Sequence, residues 1–81
     1  MPTYLLLHQH TPDECRFVYA SWRGFSSPLR NHEALSSCLL GGHRIVWTGI
    51  EAESAQAALG FLPPYVADRT QADCVRPVPI P

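Results

Sequence analysis

Eighty-one residues, 46% of them hydrophobic and 16% charged, make one globular domain (residues 1–81) and exclude a disordered chain. A net charge of −1 removes the electrostatic footprint expected for nucleic acid or an anionic membrane as partner, and the six basic residues are all arginine. No apolar run approaches the roughly 20 residues that span a bilayer, and three cysteines without a signal peptide predict reduced thiols in a cytoplasmic protein.

Thr3 to His10 is an apolar run of strand length. It stops at Thr11-Pro12-Asp13-Glu14, a helix start with Thr11 as N-cap, Pro12 at the first helical position and Glu14 completing a capping box. Cys15, Val18, Tyr19 and Trp22 recur at helical spacing and predict the buried stripe, with Gly24 as terminator. Phe25 to Asn31 reads as a loop. Ala34 to Leu40 and Arg44 to Glu51 read as strands joined by a two-residue Gly41-Gly42 hairpin. Ser54 caps a second helix carrying Ala55, Ala58, Leu59 and Leu62, which Pro63-Pro64 breaks before a further turn at Tyr65 to Arg69. A last strand from about Cys74 to Ile80 carries Pro77 and Pro79, which confine it to a sheet edge.

The order β-α-β-β-α-β predicts an α+β, ferredoxin-like fold: a four-stranded antiparallel sheet in the order 4-1-3-2 with two helices on one face. Tyr4, Leu6, His8 and His10 share one side of strand 1, and Leu5 and Leu7 the other. Ile45 and Trp47 fall on one side of strand 3, with Val46 and Ile50 opposite. Two apolar faces with helices over only one predict a homodimer that packs sheet to sheet.

In that order of elements, nearly the whole chain resembles the dimeric α+β barrel superfamily. Its first strand ending near His, and the segment Ile50-Glu51-Ala52-Glu53-Ser54-Ala55 at the start of helix 2, look most like short actinobacterial members that include nickel-binding proteins. The resemblance implies a dimer joined through open sheet faces and a metal ion as a possible ligand.

His8-Gln9-His10 and Cys38-Leu-Leu-Gly-Gly-His43 carry the metal-ligating side chains most worth testing. Two histidines at i, i+2 on a strand point the same way, and a Cys and a His around a Gly-Gly turn resemble half a metal site. With strands 1 and 3 taken as parallel, the two groups fall at opposite ends of the sheet, roughly 20 Å apart at about 3.3 Å per residue. That expectation leaves Cys38 and His43 as structure around the turn and Cys15 as core. It assembles the metal set His8, His10, Cys74 and Glu51, with Asp73 behind it, for a divalent Ni, Zn or Cu ion. Tyr4, His8, His10 and Trp47 would line a small-molecule pocket between the sheets.

Arg23, Arg30 and His32 bracket the loop after helix 1 and could hold an anion, and Asp68-Arg69 reads as a surface pair. Two functions follow. One is a homodimeric protein binding a metal ion or small ligand at the end of strand 1. The other is a cofactor-free isomerase or monooxygenase with His8 or His10 as general base. A plainer alternative makes His8 a hydrogen-bonded interior residue and His10 an exposed strand end.

Overall fold

The computed structural model describes residues 1–81. The chain is α+β: strands β1 (Thr3–Gln9), β2 (Leu35–Ser36), β3 (Arg44–Glu51) and β4 (Thr70–Val75), with helices α1 (Cys15–Ser21), α2 (Ala55–Leu59) and α3 (Pro64–Ala67). The strands form one sheet in the order β2-β3-β1-β4, which is the predicted order seen from the other edge. Every neighbouring pair is antiparallel.

One consequence of that pattern corrects the sequence reading. β1 and β3 run antiparallel, with Tyr4 opposite Ile50, Leu6 opposite Trp47 and Gln9 opposite Arg44. The connectivity requires this. The crossover through α1 returns the chain so that β2 runs in the direction of β1, and the next hairpin reverses it into β3. The end of β1 therefore lies beside the start of β3.

Local signals set the helix starts as expected. The Thr11 N–H donates to Glu14 Oε1 at 2.9 Å, and the Glu14 N–H donates to the Thr11 carbonyl at 3.0 Å. The first turn, Pro12–Glu14, is tight and 3-10-like before α1 begins. Ser54 Oγ accepts from the Ala57 N–H at 3.1 Å and caps α2.

Two strand predictions change. β2 is only two residues long, because Cys38–Leu40 forms a 3-10 turn and the connection to β3 is a loop from Ser37 to His43. Gly41 holds φ +84°, and a Cβ on Gly42 would collide with the Ser37 side chain, so this loop needs both glycines. β4 begins at Thr70 and stops at Val75, ahead of the prolines that cannot donate to a ladder.

The core lies on one side of the sheet. Tyr4, Leu6, Ile45, Trp47 and Ile50 cluster with Val18 of α1, Ala58 of α2 and Val66 of α3. Ile50 joins Trp47 on this face, against expectation, because β3 has one more residue than β1 between the pairs Leu6–Trp47 and Tyr4–Ile50. Gly49 at φ +69° takes up that bulge. Leu6 and Val18 are completely buried, and each such side chain contributes about 1.5–3 kcal/mol by leaving water. On the other face Leu5 and Val46 are half-buried and Leu7 and Val75 exposed. No helix is long and apolar enough to cross a membrane.

Candidate metal centre

The antiparallel register brings together four residues that the sequence reading had separated. His10 follows β1, Cys15 opens α1, Cys38 opens the 3-10 turn, and His43 immediately precedes β3. The His10 N–H donates to the His43 carbonyl at 3.0 Å, extending the β1–β3 ladder by one rung and fixing the two histidines side by side. Their rings meet edge to face with centroids 5.6 Å apart. One ligand atom from each of His10, Cys15, Cys38 and His43 lies within 4.8 Å of all the others, so the cluster could hold a metal ion. The pattern is H-x4-C and C-x4-H, a signal in the sequence once the two segments are set beside each other.

Cys38 and His43 thus belong with His10, and Cys15 belongs with them as well. Cys15 lies on the buried stripe of α1, and His8 and His10, on the side of β1 that carries Tyr4 and Leu6, face the helices too. The other predicted ligands lie elsewhere. Cys74 pairs with Tyr4 and Glu51 with Thr3, at the far end of β1, about 13 to 17 Å of strand from His8 at roughly 3.3 Å per residue. Asp73 pairs with Leu5 and accepts a hydrogen bond from Gln71. Tyr4 and Trp47 are core residues on the helix-covered face rather than the lining of an inter-sheet pocket. A small cavity of about 210 Å³ does touch Trp47, together with Trp22, Leu29, Arg30, His32 and Ala34. Arg30, however, spends its guanidinium on the carbonyls of Trp22 and Phe25. Arg69 pairs with Glu14 at 2.8 Å, not with Asp68.

Behind the cluster runs a chain of hydrogen bonds whose direction can be deduced. Thr70 Oγ1 lies 2.6 Å from the Val66 carbonyl, which can only accept, so the hydroxyl proton is committed there. Thr70 Oγ1 must then accept from His8 Nδ1, 3.0 Å away. A neutral His8 protonated on Nδ1 presents a lone pair at Nε2, and that atom is 2.9 Å from His10 Nδ1. His10 Nδ1 is therefore the donor, and its Nε2 carries the lone pair. This nitrogen faces Cys38 Sγ at 3.6 Å. Metal-bound histidines commonly donate their second ring N–H to a fixed acceptor in this way, which sets tautomer and ring orientation. His8, fully buried with both nitrogens engaged, has no atom left for a substrate.

Electrostatics favour the neutral form of His8 and His10. Burial lowers the pKa of His8, and the neighbouring His10 lowers it further. Burial and then His43 do the same to His10. For the Cys15 thiol the direction is opposite: burial and the adjacent Cys38 raise its pKa. A bound cation would reverse that by favouring the thiolate.

These shifts set a pH dependence for the metal-free chain. Unfolded imidazoles titrate near 6.5, whereas the folded protein, with His8 facing His10, Arg69 and Glu14, resists protonation there. The unfolded state then binds more protons, so stability is full above about pH 6.5 and falls as the pH drops below it. For His8 the slope should approach 1.4 kcal/mol per pH unit at most. Urea midpoints of chelator-treated protein at pH 7.5 and 5.5 check this, and equal midpoints would contradict it.

His43 carries two further signs of a functional position. It adopts φ +51°, the left-handed region, where a residue other than glycine is strained by about 1–2 kcal/mol. Its Nδ1 is buried without a hydrogen-bond partner, a state that costs about 1–3 kcal/mol unless something satisfies it.

Tetrahedral zinc, with bonds of about 2.0–2.3 Å, has ligand atoms roughly 3.3–3.8 Å apart. The set as it stands, spread over no more than 4.8 Å, needs side-chain adjustments of about 1 Å to reach that geometry. Comparison with protein-family models, with curated proteins and with solved structures finds no match to this chain, so its functional reading rests on the centre itself.

Proposed function

We propose that this chain is a small metal-binding protein whose ligands are His10, Cys15, Cys38 and His43. The observation that carries the reading is the directed chain Val66–Thr70–His8–His10, which leaves His10 Nε2 aprotic and facing Cys38 in a cluster of four ligand-bearing residues. Zinc(II) suits two thiolates and two imidazoles in a tetrahedral, closed arrangement, and such a site stabilises a fold. Square-planar geometry would instead favour Ni(II) or Cu(II). For the alternative, an isomerase or monooxygenase with a histidine general base, His8 has both ring nitrogens engaged, which leaves His10 Nε2 as the atom for that role.

The reading also includes a second copy of the chain and a reducing, cytoplasmic setting, which the three free thiols favour. The strand order, the antiparallel directions and the half-exposed apolar face of Leu5, Leu7, Val46 and Val75 support the ferredoxin-like description and sheet-to-sheet pairing.

Metal analysis of untagged protein tests this directly. One equivalent of zinc per chain is expected, with tetrahedral thiolate bands on replacement by Co(II) and twice the chain mass in sedimentation. Cys38→Ser and His10→Ala should lose the metal, while Cys74→Ser and Glu51→Gln keep it. Metal retained by the first pair, or lost by the second, would overturn the ligand set.

A further inference from the structure

Cys15 and Cys38 approach each other from separate elements, the first residue of α1 and the first of the 3-10 turn, and both are half-buried. Their sulfurs lie within 4.8 Å of each other. The third thiol, Cys74, is exposed beside Tyr4 at the other end of β1. One pair of cysteines can therefore react within the chain while the third cannot join it.

We infer that Cys15 and Cys38 form an oxidation site: hydrogen peroxide converts the pair to an intramolecular disulfide and thereby empties the metal centre. The inference rests on the metal-binding reading above. In the first step one thiolate sulfur attacks a peroxide oxygen. The O–O bond breaks, a sulfenic acid forms, and hydroxide leaves. The second thiolate then attacks the sulfenic sulfur, the S–S bond forms, the S–O bond breaks, and a second hydroxide departs. Two protons from solvent turn the hydroxides into water. Overall, two thiolates, one peroxide and two protons become one disulfide and two waters, with the sulfurs oxidised and the peroxide oxygens reduced.

Geometry favours the disulfide over separate oxidation of each sulfur. A sulfenic acid at either position has the other sulfur within a short side-chain movement, and a sulfenic acid condenses with a thiol to a disulfide. Once the sulfurs are joined, only His10 and His43 remain to hold the ion, and two imidazoles bind zinc far more weakly than the four-ligand set. Reduction would restore the site.

The test uses full-length Cys74→Ser protein loaded with zinc, with the zinc content measured before oxidation. Peroxide should release zinc in step with the loss of two hydrogen masses per chain. Proteolysis should then yield the peptide pair joined through Cys15 and Cys38, and a thiol reductant should restore full zinc binding. Oxygen added to the two cysteines without a disulfide would overturn the inference, as would zinc kept by chains that have lost two hydrogens. If the starting protein takes no zinc, the metal reading fails, and the mass of the oxidised metal-free chain still decides whether the thiol pair closes.

Discussion

Chelating the metal should lower the melting temperature of this chain by about 15–30 °C when free zinc is at roughly a thousand times its dissociation constant. Binding to the folded state alone contributes RT ln(1 + [L]/Kd), about 4 kcal/mol under that condition. For a domain of 60–100 residues each kcal/mol moves the midpoint by about 4–8 °C. A chain of 81 residues with a single small core makes the effect large relative to total stability. Thermal unfolding with and without a chelator, repeated on Cys38→Ser, is the measurement. A midpoint that ignores zinc in the parent protein would remove the structural role proposed for the metal.

The second large effect belongs to a residue that touches no metal. His8→Ala deletes the acceptor for His10 Nδ1 and the donor to Thr70. Freed from that acceptor, His10 can rotate or carry its proton on Nε2, the atom that should ligate. Loss of such a supporting partner typically weakens metal affinity about 10–100-fold. The cavity also destabilises the fold, so Thr70→Val provides the milder version: it keeps the branched shape and removes only the hydroxyl that fixes the His8 tautomer. Both variants should bind zinc more weakly in competition with a chromophoric chelator, His8→Ala more so. Nitrogen-15 NMR should find His10 protonated on Nδ1 in the metal-free parent. A folded Thr70→Val with unchanged affinity and unchanged His10 tautomer would show that the chain of hydrogen bonds plays no part.

Local chemistry made much of this fold legible. The Thr11–Glu14 start, the Ser54 cap, the Pro63-Pro64 break and the limits of β3 all follow from residues within a few positions of one another. Sheet order was also readable, since connectivity leaves few choices. The direction of β3 against β1 was the error with consequences, because it exchanged the two ends of the sheet and sent Cys38 and His43 away from His10. The face of His8 and His10 was lost for a related reason: alternation assigns residues to two sides but does not say which side receives the helices. Once Leu6 is known to meet Val18, Ala58 and Val66, Cys15 and the histidines must share a side. The bulge at Gly49 and the left-handed His43 arise from how distant segments fit, and periodicity carries no trace of them.

The split of the four proposed ligands between residues 10–15 and 38–43 has one more consequence. An ion held there ties two points about 23 to 33 positions apart along the chain (38 − 15 and 43 − 10). For loops of that length a cross-link removes unfolded-state entropy worth about 3–4 kcal/mol. The ion would thus work as a removable knot formed by residues synthesised before α2, α3 and β4 exist. A nascent chain holding it would meet the residues that follow with β1, α1 and the 3-10 turn already gathered at one corner.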